Sequence, residues 1–315
     1  MVSADSRHAL IMAQTGSKNP HPPAWLDSSE YPFQSRYFQT PSGRLHYIEE
    51  GSGETLIFIH GNPSWSFEYR RVIAHFRRTH RCIALDHLGF GLSDKPYKES
   101  LLPQFHVRNL ELLLASLNLS NVTLVMHDWG GPIGMAWALD HPELVTRLIV
   151  HNSWCWSVQD QKAIRMFSNL AGGPLGRFLC RYFNLFPRVL MPASFGDKAN
   201  LSDMARRHFV SPFPTPRSRK GTWVFPRAII GESDWLEAVW KRHDVLANLP
   251  MLLLWGMKDA GLSGDVLARW ERAFPRHSTQ RYGDVGHNVP EELGARAILP
   301  IERFLAENPT NGGRK

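Results

Sequence analysis

The chain is poor in cysteine. Its 315 residues hold three, Cys82, Cys155 and Cys180, too few and too widely spaced for a disulfide framework or a cysteine-based metal site. A reducing, cytoplasmic setting is therefore expected. Long apolar runs are missing as well: no stretch approaches the roughly 20 residues that cross a bilayer, and the patch Ala9–Ala13 is too short for a secretory signal. Internal repeats are lacking, and so is low-complexity sequence away from the two ends. What is present, 43% hydrophobic and 21% charged residues, suits one large globular unit or a core with an insertion.

The net charge of +7 is unevenly placed. Residues 155–245 hold 14 Lys and Arg against 7 Asp and Glu, which accounts for the whole excess. Such a segment is suited to nucleic acid or anionic lipid. Its charges, however, are scattered among Trp, Phe and Leu, and no nucleic-acid motif accompanies them. A solvated basic face is the expectation.

The chain is organised around Asn121–Ala136, which reads NVTLVMHDWGGPIGMA. Val122–Met126 is a run of β-formers, and after Gly130-Gly131 the apolar positions take helical spacing. A short strand, a two-glycine turn and a helix is how an α/β sheet presents a nucleophile. Here the apex residue is Asp128, facing the N–H groups and partial positive charge of the next helix. An Asp at a helix start also serves as an N-cap. As a nucleophile, a carboxylate makes an alkyl ester, so its substrate would carry a leaving group on carbon. Met126 stands where the usual motif has a small residue, and the strand must accommodate it.

Residues 1–30 read as a loose arm. Strands are predicted over Arg36–Gln39, Leu45–Glu50, Leu56–Ile59, Cys82–Leu85, Val122–Met126, Thr146–Val150 and Met251–Trp255, and near Thr279–Tyr282. Helices are predicted from the HGNPSWSFEYR turn to about Arg78, over Leu101–Leu117, after the Asp128 turn, near Leu267–Phe274, and from Glu291 to Leu305. This alternation implies a mostly parallel sheet. It stops between Trp154 and Asp244, where short helical patches (Gln161–Leu170, Pro174–Phe186, Ser202–Val210, Trp235–Leu246) suggest a helical cap. The expected division is an arm (1–30), a core (31–153 and 245–315) and a cap (154–244).

In such sheets ligands sit at the carboxyl ends of the strands. Asp128, Asp259 in GMKDAG and His287 in GDVGHNVPEE all fall there, in the order nucleophile, acid, His. Alone, Asp259 reads as a turn former and His287 as one of fifteen histidines. Their joint order and placement point to chemistry. Asn62, after the third strand, offers a side-chain N–H, and Trp129 offers an indole N–H with no acceptor. Converging beside Asp128, the two would form an anion cradle without positive charge. Hydrogen bonds to charged groups contribute about 1.5–3 kcal/mol each, so two supply roughly 3–6, or about a hundred- to ten-thousandfold in rate. Turn formation by Asn62 and packing by Trp129 are the plainer alternatives.

At this point the chain resembles the haloalkane dehalogenases of the α/β-hydrolase superfamily. YPFQSR, HGNPSWSFEYR, DHLGFGLSDKP, HDWGGPIG, GMKDAG and GHNVPEE stand in register over nearly all of residues 31–307, and HGNP with HDWGG is the specific pair. The resemblance implies an α/β-hydrolase fold, with a mostly parallel eight-stranded sheet flanked by helices and an inserted helical cap. It implies Asp128 as nucleophile, His287 as base and Asp259 as acid. Asn62 and Trp129 match the halide-holding pair, and their backbone N–H groups match the oxyanion hole. The implied substrate is a small halogenated alkane, the products are an alcohol, a halide and a proton, and no metal or organic cofactor is expected. His151-Asn152 follow the sixth strand where one branch carries Glu. An acid on the later strand together with Asn62 is similar to the third subfamily, whose members tend to form large homo-oligomers.

Epoxide hydrolases share the nucleophile but need two cap tyrosines, and of seven tyrosines only Tyr182 lies in the cap. Fluoroacetate dehalogenases carry Arg where this chain has Trp129. A ligand-sensing module with a vestigial triad is the non-enzymatic alternative.

Overall fold

Continuous apolar strands need cover on both faces, and this chain has several. In the computed structural model, which describes residues 21–262 and 264–310, β3 (Thr55–Ile59), β5 (Val122–His127) and β7 (Met251–Gly256) are buried throughout. With β1 (Arg36–Thr40), β2 (Gly43–Glu50), β4 (Arg81–Leu85), β6 (Val145–His151) and β8 (His277–Tyr282) they form one eight-stranded sheet. Its order is β1-β2-β4-β3-β5-β6-β7-β8. The β1–β2 and β2–β4 pairs are antiparallel and the remaining neighbours are parallel. The polar strand β8 is mostly exposed, as suits an edge.

Successive side chains point to opposite faces, so the sheet divides the core in two. Ile57, Ile59, Leu124 and Met126 pack on one face with α2 (Pro103–Ala115) and α3 (Gly130–Asp140). Leu56, Phe58, Val125 and Leu254 pack on the other with α1 (Arg70–Phe76) and the closing helix. Parallel crossovers place the loops after β3, β5, β6, β7 and β8 side by side at one edge.

Between β6 and β7 the chain is helical: α4 (Lys162–Gly172), α5 (Pro174–Phe183), a π-helical turn Phe186–Leu190, α6 (Asp203–Val210), α7 (Lys220–Gly231) and α8 (Ser233–Trp240). Helix α7 is absent from the sequence expectation because Pro226 sits inside it, and a proline normally ends a helix. The patch read as Pro174–Phe186 stops at Phe183, where Asn184 takes the left-handed conformation, φ 56°. The patch read as Trp235–Leu246 ends at Trp240.

After α9 (Gly264–Ala273) and β8, the single closing helix expected over Glu291–Leu305 is two, α10 (Val289–Leu293) and α11 (Ile298–Glu307). Gly294 between them has φ +50° and lies against Arg71, a backbone shape that glycine adopts most readily.

Residues 1–20, most of the expected arm, lie outside the described residues. Of the rest of that segment, Trp25 packs edge-on against Trp65, ring centroids 5.9 Å apart. The Asp27 N–H donates to His208 Nε2 at 3.0 Å.

The structure also accounts for Met126. A Cβ on Gly134 would stand 2.6 Å from the Met126 sulfur, so α3 is hollowed at that point to receive the larger side chain. Gly134→Ala and Met126→Ala should each destabilise the protein, the second by about 2–5 kcal/mol. The double variant should lose less than the sum, by about 1 kcal/mol or more, in a denaturant-unfolding cycle. Additive losses would mean the two do not share that space.

Candidate active site

The site begins with a strained turn. Asp128 follows β5 with φ +50°, a region that a non-glycine residue occupies only when its surroundings fix it. The fixing contacts are specific. The Asp128 N–H donates to the Asn152 carbonyl at 3.2 Å. Ser153 Oγ–H (2.6 Å) and the Gly131 N–H (3.0 Å) both donate to the Asp128 carbonyl. A Cβ on Gly130 would sit 2.0 Å from the Ile59 carbonyl, so only glycine lets α3 start this close to β3.

The Asp128 carboxylate therefore faces the loops from the neighbouring strands. Its Oδ1 accepts the Asn62 N–H at 2.7 Å. Its Oδ2 lies 3.5 Å from His287 Nε2. Of the two amides expected to hold an oxyanion, the Asn62 N–H is the one that donates to this carboxylate among the described residues. His60 braces that loop, since its Nε2 accepts the His87 N–H at 2.9 Å and its Nδ1 lies 2.8 Å from the Gly61 carbonyl.

His287 is held from two sides. Its Nδ1 lies 2.7 Å from Asp259 Oδ2. Its backbone carbonyl accepts from His127 Nε2 at 2.8 Å, and His127 Nδ1 in turn lies 3.1 Å from the buried Glu68 carboxylate. Burial pushes the His287 imidazole down, but the Asp259 charge and the hydrogen bonds to Asp128 and Asp259 outweigh it. The net position is well above the ordinary histidine range. Burial likewise pushes the Asp259 carboxyl up. The His287 charge and hydrogen bond, the Asn152 amide and the Leu262 N–H outweigh it and hold the carboxyl well below the usual range. Asn152 Nδ2 donates to Asp259 Oδ2 at 2.9 Å, while the Gly261 and Leu262 N–H groups donate to Oδ1 at 2.8 and 3.0 Å.

Asn62 and Trp129 both line a cavity of about 450 Å³ together with Asp128 and His287. Trp129 is 1% exposed, and its ring stacks on Phe225 of α7, centroids 5.1 Å apart. Asn62 Nδ2 lies 3.5 Å from the Thr222 carbonyl. That carbonyl is free because Pro226, four residues on, has no N–H to offer it. One helix of the β6–β7 insertion therefore contacts both members of the pair. The rest of the lining is mainly apolar, with Trp154, Ile164, Phe167, Leu190 and Ile229 among it. The Trp154 indole N–H is buried without a hydrogen-bond partner among the described residues.

All five residues singled out from the sequence thus meet at one cavity. Sequence reasoning passed over Asn152, noted only as not being Glu, and the Glu68–His127 brace. A polar residue directly after β6, beside the loops that carry Asp128 and Asp259, was the available signal for the first. Nothing in the spacing foretold the second.

Carboxylate, histidine and acid after β5, β8 and β7, lining one mainly apolar cavity with the uncharged Asn62 and Trp129, can perform displacement at carbon followed by attack on an ester. A family model described as the alpha/beta hydrolase fold matches residues 54–292. The chain is 35% identical over 292 residues to the cis-3-alkyl-4-alkyloxetan-2-one decarboxylase of Shewanella oneidensis, covering 89% of this chain and 90% of that one. It is 33% identical to haloalkane dehalogenase 2 of Mycobacterium tuberculosis, covering 88% and 97%. The crystal structure of haloalkane dehalogenase DatA from Agrobacterium tumefaciens superposes with a TM-score of 0.75 at 26% identity, covering 89% of this chain and all of that one. Fold, site and relatives agree: the chain belongs to the α/β-hydrolase family, among the haloalkane dehalogenases and their close relatives.

Proposed function

We propose that the protein is a haloalkane dehalogenase, with Asp128, His287 and Asp259 as its catalytic triad and Asn62 with Trp129 as its halide cradle. The observation that carries this reading is the Asp128 carboxylate, one oxygen on the Asn62 N–H at 2.7 Å and the other 3.5 Å from His287 Nε2, beside uncharged donors in an apolar cavity. In the first step Asp128 attacks the halogen-bearing carbon, an ester bond forms, and the halide leaves with the bonding pair. Uncharged N–H donors suit a departing halide because they stabilise it without trapping it as a full cation would.

In the second step His287 takes a proton from water, the hydroxide attacks the Asp128 ester carbonyl, and the alcohol departs. Charge building on Oδ1 meets the Asn62 N–H. One haloalkane and one water give one alcohol, one halide and one proton. The acid at Asp259 together with Asn62, and with Asn152 where one branch carries Glu, supports the third subfamily. The epoxide alternative is weaker, since no tyrosine is among the cavity-lining residues described.

A second reading rests on the oxetanone decarboxylase relative. The same carboxylate could open a four-membered lactone at its alkoxy carbon, the ring carboxylate being the leaving group. Loss of carbon dioxide would then return its electron pair to form the alkene and expel Asp128. This route consumes no water, and so needs no base to activate it. His287→Phe separates the two readings. On 1-bromobutane it should release about one bromide per protein and hold a butyl ester on Asp128, visible by mass. On a cis-3,4-dialkyloxetanone it should still turn over only if the second reading applies. Wild-type protein that releases alkene but no bromide would replace the first reading with the second.

The pH dependence follows from His287, whose protonation is favoured by both neighbouring carboxylates. Protonated His287 cannot accept a proton from water, so ester hydrolysis should be slow at low pH and rise as pH passes the His287 pKa. Alkylation cancels the Asp128 charge and lowers that pKa. Asp259→Asn removes another raising influence, so the rising limb should move to lower pH in single-turnover kinetics while its plateau falls. Asn152→Ala should lower kcat about ten- to a hundredfold through Asp259, with little change in KM. An unchanged kcat would remove Asn152 from the account.

A further inference from the structure

The basic segment of the insertion is not a purely solvated face. Residues 161–196 hold five Lys and Arg and no Asp or Glu. They also hold eight of the eleven exposed large hydrophobic side chains found among the described residues. Helix α5 is built inside out: it buries the small residues Gly176 and Cys180 and turns Leu175, Phe178 and Tyr182 to solvent, at 64%, 51% and 52% exposure. On the neighbouring α4, Met166 and Leu170 are 62% and 60% exposed. An apolar stripe at these spacings ordinarily faces a core, and contiguous exposed apolar surface marks a contact site.

We infer that the α4–α5 face is a docking surface for an anionic lipid bilayer, on which the two helices lie in the headgroup plane with their aromatic and aliphatic side chains inserted. Three observations favour lipid over a second copy of the chain. Lys162, Arg165, Arg177 and Arg188 are exposed among the apolar side chains, and among the described residues none of them pairs with a carboxylate. A self-contact of this face would set cation against cation with no acid to offset it. The combination of short amphipathic helices, exposed Phe and Leu, and flanking Lys and Arg is that of interfacial helices.

Neither helix is long enough to span a membrane, so the contact is peripheral. Ala163, Ile164 and Phe167 of α4 line the cavity, which places its wall one helix away from the docking face. An apolar substrate dissolved in the bilayer then has a short path to Asp128. The inference holds whichever leaving group the site takes.

The test is flotation of the full chain with vesicles of phosphatidylcholine alone, and with phosphatidylcholine containing about 30% phosphatidylglycerol, at low and high salt. Each exposed cation contributes about a fivefold gain in partitioning onto an anionic surface. Binding at least about tenfold stronger to the anionic vesicles, and weakened by salt, is expected. The triple variant Met166→Glu, Leu175→Glu and Phe178→Glu, all outside the cavity lining, should lose that binding and keep soluble turnover. The charge-only variant Lys162→Gln with Arg165→Gln should lose about 25-fold of the anionic preference even if the triple variant fails to fold. Equal binding to both vesicles, or no flotation, overturns the inference. So does a wild type that ignores vesicles but self-associates through this face, dissociating in the triple variant by light scattering, which would give the face to a second copy.

Discussion

The site depends on one backbone turn. Asp128 holds φ +50° because its own N–H and C=O are tied to β6-end residues Asn152 and Ser153 and to Gly131. Those contacts exist only because β5 and β6 run parallel in register, His127 beside His151. A strained φ costs of order 1–3 kcal/mol and persists where the fold over-determines it. The sheet supplies that determination, and in return the carboxylate stands clear of the strand, open on one side to the Asn62 N–H and on the other to His287.

Charge in the site is distributed by location. Negative charge is concentrated on Asp128 and Asp259, with His287 between them, while Asn62 and Trp129, which also line the cavity, are uncharged. The buried acid stays ionised because four groups converge on it: His287, Asn152, and the Gly261 and Leu262 amides. Burial alone would have protonated it. The His127–Glu68 pair does comparable work on the backbone of His287, from the opposite face of the sheet to Met126. The β6–β7 insertion completes the site from above, where α7 lays Phe225 on Trp129 and, through the carbonyl that Pro226 leaves free, reaches Asn62.

Much of this was legible in the residues. Strand runs such as Leu56–Ile59 and Met251–Trp255 declare buried parallel strands by composition, and Asp128, Asp259 and His287 declare themselves by order and position. The parts that escaped share a physical cause. Helix α7 was hidden because a proline inside a helix is tolerated only when another group takes the orphaned carbonyl, a tertiary fact. The closing helix broke at Gly294, which a periodic apolar pattern does not register. Asn152 looked inert because its partner, Asp259, is 107 residues away. Composition also does not reveal that α5 turns Leu175, Phe178 and Tyr182 outward beside the exposed cations.

The central claim is that the carboxylate oxygen of Asp128, not a water molecule, displaces the leaving group. Single-turnover reaction of 1-bromobutane with excess protein in ¹⁸O-labelled water tests it directly. The account predicts unlabelled butanol and one ¹⁸O in the Asp128 carboxylate, recovered in the peptide that contains it. Labelled butanol with an unlabelled Asp128 would contradict it.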